Sequence, residues 1–177
     1  MAQYTLTDYL LDRINIQDAI HKLAWFVDRG DWEGLEKLFA NEVVIDYTKL
    51  LGGDPIHTTN VAQTSVWRGM LDFLDGAHHA FTTVLIDLPQ PSAASPIEEF
   101  PQEATGTCNY LITLKRANAM GDPLLQSGGY YNFKFIRSSL DDKTGNPWRL
   151  AFFKENTTYA RGNTDVVKNP TTKSSWL

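Results

Sequence analysis

The spacing of apolar and polar positions divides the chain into a helical first part and a strand-rich second part. Across residues 15–29, "NIQDAIHKLAWFVDR", Ile16, Ile20, Leu23 and Val27 recur at three- and four-residue intervals, and Gly30 stands where a helix would stop. This predicts an amphipathic helix. Asp31 has the chemistry of an N-cap for a second, short helix, "WEGLEKLFA", whose apolar stripe is Leu35, Leu38 and Phe39. The β-branched, alternating run "EVVIDYTKLL" (42–51) predicts the first strand, with Val43, Ile45 and Tyr47 on one face and Val44 and Asp46 on the other. Helical spacing returns in "NVAQTSVWRGMLDFLD" (60–75) through Val66, Met70 and Leu74, with Gly76 as its stop.

Beyond Gly76 the pattern is that of strands at 78–88, 103–115, 125–138 and 148–155, separated by Pro, Gly, Asp or Asn clusters. "PQPSAASPIEEFPQ" (89–102) is the main irregular insertion, and "DDKTGN" (141–146) reads as a hairpin turn. The tail from about Val166 is polar and expected to be peripheral, with Trp176 available to pin it to a neighbouring subunit. Two or three helices, a strand, a helix and a run of long antiparallel strands predict an α+β fold. The expected shape is a cone-shaped barrel, a curved, mostly antiparallel sheet with N-terminal helices closing a pocket. The expected organisation is one domain over 1–166 and a tail over 167–177.

A length of 177 residues suits such a single domain, and 42% hydrophobic, 21% charged and 12% aromatic residues describe a globular chain. A net charge of −5 argues against nucleic-acid or anionic-membrane partners, which demand clustered Lys and Arg. Cys108 is the single cysteine, so no intrachain disulfide can form and a cytoplasmic address is the default expectation. The first twenty residues lack the basic start and apolar core of a signal peptide, and no run of about 18 apolar residues occurs.

Candidate chemistry starts with Asp28, which falls on the apolar side of the long helix, four residues after Ala24. Either it is an edge residue neutralised by Arg29, or something inside holds it, since an acid in a last helical turn opposes the macrodipole. His79 is the partner to consider. Neighbouring residues on a strand point to opposite faces, so of His78 and His79 one looks inward; the reading here places His79, Phe81 and Thr83 inside and His78, Ala80 and Thr82 outside. An Asp gripping one ring nitrogen leaves the other free as general base or acid. Tyr47 could polarise a carbonyl or simply be core with a wet tip.

Trp25, Phe26, Trp67, Tyr110, Tyr130, Tyr131, Phe133 and Phe152 could line an aromatic cavity for a flat hydrophobic ligand, or pack as core. Of these, Trp25, Trp67, Tyr110, Tyr131 and Phe133 are taken as substrate-binding. Asn156 and Tyr159 are candidates for the cavity mouth. No GxSxG, phosphate-binding loop, dinucleotide fingerprint or HExxH occurs, Cys108 has no nucleophile signature, and His57, His78 and His79 fit no standard metal spacing. Acid–base chemistry without metal or cofactor is what these residues suggest.

"INIQDAIHKLAWFVDRGDWEGLEKLFANEVVIDY" followed by "HHAFTTVLIDL" resembles the SnoaL-like branch of the nuclear transport factor 2-like superfamily, over roughly residues 8–160. Within that branch the chain is similar to scytalone dehydratase, bile acid dehydratase and hexachlorocyclohexane dehydrochlorinase. The resemblance implies a cone-shaped α+β barrel and a His–Asp dyad that removes a proton while a leaving group departs or a double bond moves. Carried over, Asp28 of "FVDRGDW", His79 and Tyr47 of "VIDY" are the catalytic residues, with Asn156 of "KENTTY" as a pocket amide. Scytalone dehydratase has a second active-site His on the next strand, where "ATGTCNYL" offers Cys108 and Asn109 instead. The insertion at 89–102 also exceeds the usual connection.

The leading expectation is a cofactor-independent lyase or isomerase, dehydratase-type, acting on a hydrophobic polycyclic, polyketide-derived or terpenoid molecule. The alternatives are a non-catalytic binding or association module of the same fold, and a cyclase or cycloaddition catalyst working through pocket shape. Long apolar strands on the open face of the sheet lead us to expect a homodimer or homotrimer.

Overall fold

In a computed structural model, which describes residues 3–138 and 145–171, helix α1 runs over Leu6–Arg29. It starts nine residues before the apolar spacing becomes regular. Thr5 caps it: its hydroxyl accepts from the Asp8 N–H while the Asp8 carboxylate accepts from the Thr5 N–H, a reciprocal box that satisfies two backbone donors. Over the first turns Leu6, Leu10, Leu11 and Ile14 stay exposed, so no inward stripe marks this half in sequence. The buried face is Asp12, Ile16, Ala19, Ile20, Leu23, Ala24 and Val27. Gly30 ends the helix in the left-handed conformation, φ 66°, which a residue without a Cβ adopts freely.

Asp31 caps α2 (Trp32–Leu38) by accepting from the Gly34 N–H, as its position suggests. Strand β1 (Phe39–Asp46) is shorter than the alternating run. The Asp46 carboxylate accepts from both the N–H and the hydroxyl of Thr48, and this turn bends residues 48–51 into the short α3 (Thr48–Leu51) with Tyr47 at its start. Strand β2 (Ile56–Thr59) is a four-residue polar edge that no periodicity announced. Helix α4 (Asn60–Leu71) buries Gln63, Thr64 and Trp67, whereas Val66 is exposed, so its inner face is rotated from the expected one; Gly76 opens the next strand instead of closing the helix.

Strands β3 (Gly76–Asp87), β4 (Glu103–Lys115), β5 (Leu124–Arg137) and β6 (Trp148–Gly162) follow. The six strands form one curved, unclosed sheet in the order β2-β1-β6-β5-β4-β3, with β1 and β6 parallel and every other pair antiparallel. The architecture is the expected α+β cone. Strand β6 continues to Gly162 because β5 pairs with it through Leu125, a main-chain bond that side-chain patterning does not encode. A bulge lies where Gly129 approaches β6: a Cβ there would meet the Asn156 carbonyl oxygen at 2.1 Å.

The polar tail begins later than expected. Val166 and Val167, in a 3-10 turn over Thr164–Val167, are fully buried, and the Arg116 guanidinium fastens this turn through the Val166 carbonyl and the Asp165 carboxylate. Trp176 and most of the 141–146 turn lie outside the described residues. No helix among the described residues is long and apolar enough to cross a membrane.

Candidate active site

Helix α1 lies against β3, and the last turn of the one meets the start of the other at Asp28 and His79. Asp28 Oδ1 and His79 Nδ1 are 2.5 Å apart, and Asp28 Oδ2 accepts the His79 backbone N–H at 2.8 Å. One carboxylate thus fixes both the ring and the strand that carries it. Since a carboxylate can only accept, Nδ1 is the donating nitrogen and Nε2 is left as the free lone pair. His79 is 12% and Asp28 18% exposed at the side chain. His78 points outward at 75% exposure and approaches the same carboxylate at 3.8 Å. The Asp28 that opposes its helix dipole is therefore held by donors from another element, not by Arg29, whose guanidinium lies over the Trp25 ring at 3.8 Å.

His79 forms part of the wall of an apolar cavity of about 100 Å³, bounded by Leu23 and Val27 of α1, Tyr47, Trp67 and Met70, Phe81, and Tyr131 and Phe153 from the sheet. The rings pack edge to face: Phe81 on Tyr131 at 5.4 Å, Trp67 on Phe153 at 5.5 Å and Tyr47 on Phe153 at 5.9 Å. Burial pushes the Tyr47 phenol well above its ordinary value, so it remains a neutral donor.

The cavity has a polar end that the sequence reading did not pick out. Glu155 of β6 lines it at 7% exposure, accepting at Oε1 from the Tyr110 hydroxyl at 2.8 Å and from the Thr157 hydroxyl at 3.0 Å. Burial pushes this carboxyl above the usual range, against the opposing pull of the two hydroxyls and of His79. Nothing in "FFKENTTY" distinguishes an inward Glu from a solvated one except its alternation with Phe153.

Several expected site residues lie elsewhere. Trp25 is 58% exposed and lies outside the apolar cavity, on a separate open groove that it shares with Asp28, His78 and His79. Phe133 is buried behind the wall, packed on Tyr131 and Phe153 at about 6 Å. Asn156 turns to the other side of β6, bonding the Asn132 side chain at 2.9 Å, because neighbours on a strand diverge; the inward residue is Glu155. Tyr130 and Tyr159 are exposed. Thr83 is not inward either: it has φ 53° in a bulge of β3 and is exposed. Tyr110 reaches the site through its hydroxyl while its ring stacks on Tyr131 at 4.2 Å. Burial pushes the Cys108 thiol up to about 12, which leaves it inert as a nucleophile. Among the described residues no group of three or more His, Cys, Asp or Glu side chains could hold a metal ion.

Solved structures of low sequence identity share this fold. A protein from Kribbella flavida superposes with a TM-score of 0.74 at 16% identity, covering 90% of this chain and 99% of its own. A candidate scytalone dehydratase from Novosphingobium aromaticivorans gives 0.66 at 16% identity over 86% of this chain and 88% of its own. A type 2 hexachlorocyclohexane dehydrochlorinase gives 0.62 at 13% identity over 88% and 90%. No curated protein matches by sequence. The SnoaL-like domain family matches residues 8–154, a span that runs from the first turn of α1 through both members of the dyad to the inner strand β6, and the chain belongs to that family.

Proposed function

We propose that this protein is a cofactor-independent acid–base enzyme of the dehydratase or isomerase type. The observation that carries this reading is the 2.5 Å contact of His79 Nδ1 with Asp28 at the wall of an apolar cavity. In it, His79 Nε2 removes a proton from a carbon next to an electron-withdrawing group, Asp28 stabilises the imidazolium that results, and the Tyr47 hydroxyl donates to the oxygen on which charge develops. The proton then returns from His79 to the departing group or to another carbon. Sharing a fold with a dehydrochlorinase and a candidate dehydratase supports the reaction class. The enclosed volume favours a compact, mostly apolar substrate of one or two rings over a larger polycycle, since pockets for drug-sized ligands span roughly 300–1,000 Å³.

Proton abstraction can be tested without knowing the leaving group. Wild-type protein in D₂O is expected to exchange the α-hydrogens of 1-indanone, followed by NMR, faster than the buffer alone. His79→Ala is expected to lower this rate by about 100- to 10,000-fold, and Asp28→Asn to lower it as well. Equal exchange in wild type and His79→Ala would remove the mechanism.

A further inference from the structure

One polar group in the cavity wall, the Glu155 carboxyl, is left with bonding capacity that no described residue uses. Both hydroxyls that hold Glu155 converge on Oε1, and no donor among the described residues reaches Oε2 on the same cavity-lining carboxyl. No cation pairs with it either: among the described ion pairs, Glu155 takes part in none. An acid oxygen in an apolar wall calls for a polar partner, and a ligand in the cavity supplies one.

We propose that Glu155, protonated and held by Tyr110 and Thr157, is the substrate-recognition acid of this site, donating from its second oxygen to a carbonyl or hydroxyl oxygen of a neutral ligand. The Tyr110 and Thr157 hydroxyls orient the carboxyl, because both fix the oxygen turned away from the ligand. No Lys or Arg pairs with the group among the described residues, and burial disfavours its charged form. The ligand class follows: compact, apolar, uncharged, and carrying an oxygen acceptor. A hydrocarbon of the same shape would leave this donor unpaired, and an anionic ligand would lose its hydration on entering an apolar cavity.

This inference refines the proposed reaction but is tested by binding alone, so that failure of proton abstraction would leave it standing and its own failure would leave the dyad untouched. Calorimetric titration of wild-type protein with 1-indanone and with indane is expected to favour the ketone, by roughly 3- to 10-fold for one hydrogen bond. Glu155→Met should abolish that preference. Glu155→Gln, which keeps an N–H donor and an acceptor for the two hydroxyls, should retain it. The groups that titrate around Glu155 are Tyr47, Tyr110, Tyr131 and the His79–Asp28 pair. All of these persist in Glu155→Gln, so a ketone affinity that weakens with rising pH in wild type more than in Glu155→Gln isolates the carboxyl. Carbon-13 NMR of the labelled carboxyl supplies a ligand-free measure, expected to titrate above the ordinary glutamate range. Equal or absent binding of ketone and hydrocarbon, a ketone preference that survives Glu155→Met, or a carboxyl titrating at or below its ordinary value would each overturn the proposal.

Discussion

At the scale of single residues, the site depends on where charge is tolerated. Asp28 is accommodated in an unfavourable helical position because two donors from β3, the His79 ring and its backbone N–H, meet its two oxygens. Glu155 is the opposite case, an acid whose surroundings disfavour its charge. A carboxyl whose folded-state pKa is raised binds its proton more tightly in the folded state. The associated stability is therefore fully present below the unfolded value, about 4.3, and is lost as pH rises through the raised one. Glutamine cannot ionise, so the melting temperature of Glu155→Gln relative to wild type is expected to climb from about pH 4 upward and then level off. A difference that narrows over that interval in thermal melts would mean the native carboxyl is ionised.

At the scale of elements, caps and turns set where the functional residues stand. The Thr5–Asp8 box at the start of α1 and Gly30 at its end fix the registry that places Asp28 opposite β3. Thr5→Ala removes a capping hydroxyl and is expected to cost about 1 kcal/mol in denaturant unfolding, with indanone binding unchanged because the box is far along the helix from Asp28. The Asp46–Thr48 turn has a larger consequence. By ending β1 at Asp46 it puts Tyr47 at a corner and folds α3 across the cavity, whereas an uninterrupted strand would have carried residues 48–51 away from it. Sequence alternation predicted the strand and not its interruption, since the signal is one hydrogen-bonding Asp two residues before a Thr.

At the scale of the whole molecule, a buried polar knot joins the first helix to the far strands. Asp12 of α1 accepts from the Tyr4 hydroxyl at 2.9 Å, the Trp148 indole N–H at 2.9 Å and the Arg137 guanidinium, whose plane also lies over the Trp148 ring. Tyr4, the start of β6 and the end of β5 are tied to one helical turn by this single carboxylate. Removing it strands a buried guanidinium, so Asp12→Ala is expected to destabilise by about 3–5 kcal/mol in urea or thermal unfolding. Asp12→Asn, which keeps the acceptor oxygen, should cost less. The knot sits some four helical turns from Asp28, at the opposite end of α1, so its effect on ligand affinity in the folded fraction should be small.

Local pattern alone determined a good part of this protein. The three-and-four spacing of Ile16, Ile20, Leu23 and Val27, the Asp31 cap and the strict alternation of β4 are properties of adjacent residues, and they specified helices, strands and the α+β class. The resemblance of the "FVDRGDW" and "HHAF" segments implied a pairing of Asp28 with His79, and the two side chains meet. What the pattern could not decide was which side of each element faces the cavity. Trp25 and Phe133 are aromatic like Trp67 and Tyr131, yet one lies in solvent and the other behind the wall; Asn156 and Glu155 are neighbours, and the strand's two-residue period gave the cavity to the acid. Facing is set by bulges at Thr83, Gly129 and the 150–152 step, and by pairings between strands distant in sequence. Such contacts are energetically decisive only after the chain has closed on itself, which is why the tertiary structure alone selected the residues that line the site.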